Sequence, residues 1–374
     1  MRMRSLFLGC TLLALILFLQ GCERNPQRVT IGFVGVMTGR SAGLGVDGRD
    51  GFLLAVHEAN QNGGIDGRPI APLVLDSGAD PSQLEDLVTR LRGAGANAAI
   101  GPMRSEAARI LVPLSNSAQL VMFSPTVSSN ELQGLDDFFF RNYYSNRQAA
   151  VGLAKLTIAE RKLSRIAVLF NTDNRAYTED FLDIYRTALE AEGGEVVATI
   201  PFSSLSPPDY TALHEQVRSN RPQGVLMLAN AIDTAMFCQQ LSKDQVPLPV
   251  FTTPWSFSDD LIAFGGKAVE GVTMLLSIDP QSDLPGFVDF RYRFVQQYGR
   301  EPRFSAIHAY DATRMLIRAM RSDARNGRAI KKNLLSQGEF SGLQHTVSLD
   351  AFGDIRQPQL YPVHVANGKF VVLP

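Results

Sequence analysis

Short β-branched runs alternate with helical patterns along almost the whole chain, which predicts an α/β protein of parallel sheets with helices on both faces. Two further observations shape that expectation. At 374 residues the chain exceeds one ordinary core, so two domains are expected, and 45% hydrophobic with 20% charged residues is ordinary globular composition. The strand patterns near the C-terminus follow helices that already complete a first series, so the chain must cross between two similar lobes more than once.

The first series of strands reads Val29 to Val36, Leu73 to Leu75, Ala98 to Ile100 and Val121 to Phe123. The order breaks at the aromatic run Asp137-Phe-Phe-Phe-Arg-Asn-Tyr-Tyr144, which leads into a helix from about Asn146 to Arg161. A second series follows at Ile166 to Phe170, Val196 to Ile200, Val225 to Leu228, Val250 to Thr252 and Val272 to Leu276, with helices between most of them. Asp279 to Gly286 reads as a linker, and helices are expected over Gly286 to Tyr298 and Phe304 to Ser322. The tail differs: His345 to Asp350 and Tyr361 to Val372 are strand patterns with hairpin punctuation at Phe352-Gly-Asp354 and Asn367-Gly368.

Residues 1–22 stand apart as an address. Arg2 and Arg4 precede an apolar stretch, Leu6 to Leu19, that suits a signal h-region and falls short of the ~20 residues that span a bilayer. It ends Leu19-Gln20-Gly21-Cys22, which resembles a bacterial lipobox and implies a lipidated Cys22 at the mature N-terminus. Removing Arg2 and Arg4 takes the formal charge from −1 to −3, and no basic excess points to nucleic acid. With Cys10 removed and Cys22 acylated, Cys238 remains alone, so no intrachain disulfide is expected and stability must come from buried area.

Gly43-Leu-Gly45-Val-Asp-Gly48 spells G-x-G-x-x-G, the letters of a dinucleotide fingerprint. In that fold the first glycine ends the strand, so that pyrophosphate meets the helix N-terminus, and an acid for the ribose lies about twenty residues on. Here Thr38 to Gly43 intervene and the first candidate acid after a strand is Asp76, so the spacing fails twice. The better reading is a glycine-rich loop at the mouth of a cleft. The five histidines, His57, His214, His308, His345 and His364, are scattered without zinc spacing, and no CxxC, GxSxG or GxxxxGK[ST] occurs. The chain leans toward binding and away from catalysis, with no cofactor and no metal implied.

Several stretches together resemble the branched-chain amino-acid binding family, the leucine/isoleucine/valine-binding proteins of bacterial ABC importers. They are Ile31-Gly-Phe-Val-Gly-Val-Met-Thr-Gly39, Ala59-Asn-Gln-Asn-Gly-Gly-Ile-Asp-Gly-Arg-Pro69, Leu75-Asp76 with Asp80-Pro81, Ile100-Gly101, Phe123-Ser-Pro125, Arg165-Ile-Ala-Val-Leu169, Val269-Glu-Gly-Val272, Ala309-Tyr-Asp-Ala312 and Asn367-Gly-Lys-Phe370. The resemblance implies the type 1 periplasmic-binding fold: two doubly wound parallel-sheet lobes joined by three crossings, residues 28–142 with 281–355 and residues 143–280 with 356–374. It also places the loop Thr38 to Gly48 at the cleft rim.

Family members hold a ligand carboxylate with hydroxyls and backbone N–H groups from two loops that open helices. The matching residues are Ser105 and Thr126, Val127 and Ser128, and a serine at a helix start is a sound anion site in its own right. On the second lobe the resemblance puts Tyr177 after the Ile166 strand and Ala231 where a tyrosine is common. Three departures follow. Ala79 and Arg104 stand at the positions of the family's disulfide, Leu44 replaces a rim tyrosine, and Thr253-Pro254-Trp255 occupies the place of the acid that receives the ligand's ammonium. Asp233 or Asp259 is then the substitute acid, or Trp255 offers an aromatic face to a cation.

The function implied is a monomeric, lipid-anchored solute-binding protein of the periplasm or cell envelope, delivering an amino acid or similar small carboxylate to a membrane permease. A second class is a sensor of the same fold that binds an amide or a non-amino organic acid.

Overall fold

The computed structural model describes residues 28–78, 83–160, 162–322, 324–356 and 359–373. The leader with Cys22, and Ala79 of the expected disulfide position, lie outside them. Five strands, β1 (Val29–Gly35), β2 (Ile70–Asp76), β3 (Ala98–Ile100), β4 (Val121–Ser124) and β5 (Phe139–Arg141), form an all-parallel sheet in the order β2-β1-β3-β4-β5. Alternation along β1 divides the core. Ile31 and Phe33 face α1 (Ala42–Gln61), α10 (Phe304–Ala319) and α11 (Gly327–Ser336), while Val34 faces α2 (Glu85–Gly93) and α3 (Ser105–Ser117).

The second sheet contains β6 (Arg165–Asn171), β7 (Glu195–Phe202), β8 (Gly224–Leu228), β9 (Val250–Thr252) and β10 (Thr273–Leu276), interleaved with α5 (Arg175–Ala191), α6 (Tyr210–Ser219), α7 (Ala231–Leu241) and α8 (Asp259–Gly265). Its order is β14-β13-β10-β9-β8-β6-β7, and the antiparallel hairpin of β13 (Tyr361–Ala366) and β14 (Lys369–Val372) turns at Asn367-Gly368 as its residues predict. The run β7-β6-β8-β9-β10 repeats the order of the first sheet. Each sheet therefore reverses direction at one point, between β1 and β3 and between β6 and β8, where open α/β sheets leave a crevice at their strand ends. The chain passes to the second sheet through α4 (Asn146–Lys155), returns after β10 to α9 (Pro285–Tyr298) and α10, and crosses once more to β13.

Four expectations need correction. The glycine motif is not in a loop: α1 starts at Ala42, so Gly43, Gly45 and Gly48 are helical. A Cβ on Gly45 would lie 1.8 Å from the Val36 carbonyl oxygen, and one on Gly51 would lie 2.1 Å from that of Ala306, so these glycines let α1 lie against the end of β1 and cross α10 closely. The aromatic run is a strand, β5, whose Phe139 and Phe140 divide between the two faces of the sheet. The helix expected to reach Arg161 is α-helical only to Lys155 and widens into a π turn at Leu156–Glu160, where the Thr157 hydroxyl donates to the Leu153 carbonyl at 2.8 Å. The strand expected over His345 to Asp350 shrinks to β12 (Thr346–Val347), paired with β11 (Phe340–Ser341).

Candidate functional site

The loops after β1, β3 and β4 of one sheet face those after β6, β8 and β9 of the other, and a narrow cavity lies between them. It is lined by Leu44, Met103, Ser105, Thr126, Ser128, Tyr143, Asn174, Tyr177, Pro254, Trp255 and Phe304. Six of the eight sequence-predicted site residues, Leu44, Ser105, Thr126, Ser128, Tyr177 and Trp255, thus meet in one place. Ala231 lines a neighbouring chamber with Arg40, Asp47, Asn230 and Asp260, and Leu44, Trp255 and Phe304 border both.

Local hydrogen bonds set the first wall. Ser105 is the first residue of α3, after Arg104, which is extended and makes no capping hydrogen bond with its side chain. The Ser124 hydroxyl donates to the Pro102 carbonyl at 2.7 Å and the Thr126 hydroxyl to that of Met103 at 2.7 Å, which locks the β3 and β4 loops together. Val127 departs from expectation: it is fully buried, and its N–H donates to Ser124 Oγ at 3.0 Å, so that amide is already committed. The loop Thr126 to Ser128 opens only the 3₁₀ turn Asn130–Leu132, not a helix with a useful dipole.

The second wall is aromatic. Trp255 sits in the 3₁₀ turn Pro254–Ser256, and that turn is fixed by Ser256, whose hydroxyl bonds the Ala229 carbonyl, Thr252 and Thr234 at 2.7–3.0 Å. Tyr177 meets Trp255 edge-on at 5.9 Å, and Tyr143 packs beside Phe304 at 5.5 Å. Burial pushes the Tyr143 and Tyr177 phenols above their ordinary range, so both are neutral at physiological pH. The Trp255 Nε1–H is closed off from solvent with no acceptor.

Neither substitute acid reaches this cavity. Asp233 is fully buried and accepts hydrogen bonds from Arg40 at 2.8 Å, Tyr210 at 2.6 Å and Asn230 at 2.5 Å, while Asp259 pairs with Arg303. In the neighbouring chamber burial raises the Asp47 carboxyl to about 6 against the opposing pull of Arg300, its ion-pair partner. Among the described residues no group of His, Cys, Asp and Glu is placed to hold a metal, and no helix is long and apolar enough to cross a membrane.

Contacts tie the walls directly. Arg40, after β1, donates to Asp233 and to Tyr210 on the opposite side. Glu106 of α3 accepts the Ala176 N–H of α5 at 2.9 Å, and Asn174 answers by accepting the Glu106 N–H at 3.0 Å. Asp180 of α5 accepts from the Asn130 N–H at 2.9 Å.

A family model described as periplasmic binding protein matches residues 28–368. The chain belongs to the periplasmic binding protein family. Among relatives of this periplasmic binding protein, a Leu/Ile/Val-binding protein homolog 2 from Brucella abortus is 24% identical over 378 residues, covering 96% of this chain and 94% of the relative. The solved LivJ, branched-chain amino acid transporter substrate binding protein of Streptococcus pneumoniae in complex with isoleucine, superposes with a TM-score of 0.85 at 20% identity, over 93% of this chain and 99% of that one. A solute binding protein of an ABC transporter from R. palustris, in complex with benzoate, gives 0.83 at 19% identity, over 92% and 95%. The resemblance to the branched-chain amino-acid binding family and the type 1 fold it implied both hold.

Sequence reasoning missed Tyr143, Asn174, Met103 and Phe304 in the cavity and Arg40 at its rim. Tyr143 and Asn174 lie inside stretches singled out for other reasons. Arg40 lies within the loop Thr38 to Gly48 expected at the cleft rim, while nothing local marks Phe304, which reaches the site only through the packing of distant elements.

Proposed function

We propose that this periplasmic binding protein is the extracytoplasmic, lipid-anchored receptor of an ABC importer, capturing an amino acid or similar small carboxylate between hinged lobes. The lobes comprise residues 28–142 with 281–355 and residues 143–280 with 356–374, anchored through Cys22. The observation that carries the reading is the convergence of Ser105, Thr126 and Ser128 from one sheet with Tyr177 and Trp255 from the other on one interlobe cavity. Hydroxyls and an α3 N-terminus favour a carboxylate on the first wall, and the aromatic second wall suits an apolar body. Three or four charge-assisted hydrogen bonds at about 1.5–3 kcal/mol each, less the ordering cost, suffice for micromolar affinity. Relatives named as amino-acid or benzoate binders support the class of solute. A ligand that touches both walls stabilises the closed state, which a permease can distinguish from the open one.

The test is calorimetry with a panel of amino acids and small carboxylates, together with mass spectrometry of any molecule that co-purifies. Binding of at least one such acid, weakened by Ser105→Ala, is the expected result. Turnover of the bound molecule, or no binding by any member of the panel, would defeat the reading.

A further inference from the structure

Two residues of the second wall, Trp255 and Asn174, carry hydrogen-bond donors. Trp255 Nε1–H is buried and unpartnered, and Asn174 has committed its Oδ1 to the Glu106 N–H, which leaves its NH₂ group for a ligand. None of the residues lining this cavity is a carboxylate or a cation. Asp47 and Asp260 stand in the neighbouring chamber, beyond the border of Leu44, Trp255 and Phe304, and they share it with the Arg40 guanidinium.

An α-amino acid cannot distribute itself between the two chambers. Its ammonium is two bonds from the carboxylate carbon, so a carboxylate held at Ser105 and Ser128 confines the ammonium to the uncharged chamber. There it would lose its hydration without a counter-charge, with only neutral hydroxyls and ring faces to meet it. An oxo or hydroxyl oxygen in the same place accepts from Trp255 and removes the buried unpaired donor.

Resting on the proposed reading of this cavity as the solute site, we infer that the solute is a carboxylate without an α-ammonium group, with a flat or branched apolar body and a second hydrogen-bond acceptor that takes the Trp255 N–H. The aromatic lining of Tyr143, Tyr177, Trp255 and Phe304 matches such a body.

The experiment titrates the full chain, purified from its envelope fraction, with two pairs that differ only in this group: phenylpyruvate against phenylalanine, and 4-methyl-2-oxopentanoate against leucine. In at least one pair the oxo acid should bind tenfold or more tightly than its amino partner. Binding of either amino acid as tightly as its oxo acid overturns the inference and leaves the carboxylate-receptor reading intact. Failure of all four to bind, with no carboxylate among co-purifying molecules, overturns the receptor reading and the inference with it. Trp255→Phe keeps the ring and removes the donor, so it should weaken oxo-acid binding about tenfold without changing the melting temperature of the ligand-free protein. Unchanged oxo-acid affinity in that variant overturns the role given to the indole N–H.

Discussion

His308 on α10 shows how a single side chain couples the two sheets. Its Nε2 lies 2.7 Å from the hydroxyl of Ser277, just after β10, and Tyr143 packs edge-on to its ring at 5.2 Å. Burial, with a smaller contribution from His345, lowers its pKa from 6.5 to about 3. The unfolded chain therefore binds the extra proton first, and the stability that neutral His308 confers is full above 6.5 and lost as pH falls toward 3. His308→Gln keeps a partner for Ser277 and cannot titrate. Denaturant unfolding should show the advantage of the native protein over this variant shrinking by about 1.4 kcal/mol per pH unit below 6.5. Asp311, which burial raises to about 7, drives stability the opposite way, but it is common to both proteins and cancels in the difference. Within the cavity, Ser128→Ala should weaken ligand binding about tenfold in calorimetry, the worth of one hydrogen bond to a charged group near its lower limit.

At the level of elements, α1 makes a sharp test of how glycines are used. Gly43→Ala meets nothing nearer than Asp260 Oδ2 at 3.7 Å and replaces the poorest ordinary helix former, so it should stabilise by up to about 1 kcal/mol. Gly45→Ala drives a methyl group into the Val36 backbone and should cost roughly 3 kcal/mol, both read from chemical denaturation. The two positions look equivalent as letters of one motif; packing alone separates them. Most strands were legible for a related reason, since a buried parallel strand is a short apolar run that includes β-branched residues and is bounded by turn residues, as at Ala98–Ile100 and Val250–Thr252. β5 was not legible, because its three residues, Phe139 to Arg141, include no β-branched one and end on a charge. Ser105, Ser128, Tyr177 and Trp255 were reached through resemblance in order and spacing. Phe304 was invisible because its place depends on α10 returning to the first sheet after β6 to β10 of the second are built.

On the scale of the whole molecule, two sheets of the same strand order set their crevices mouth to mouth, and ligand affinity must include the free energy of bringing them together. Glu106 does not line the cavity, yet Glu106→Ala removes the carboxylate that receives the α5 amide across the gap. It should lower affinity three- to tenfold by calorimetry, and small-angle scattering should show a larger radius of gyration at subsaturating ligand. The Glu106–Asn174 exchange is reciprocal: each residue lends an acceptor to the other's chain, so a misaligned approach forfeits both bonds at once. Such a clasp measures registration rather than attraction, since its donors are backbone amides without formal charge. Screening by dissolved ions, which erodes long-range forces between exposed charges, has little hold on it. This clasp should therefore hold about as well in brackish surroundings as in dilute ones.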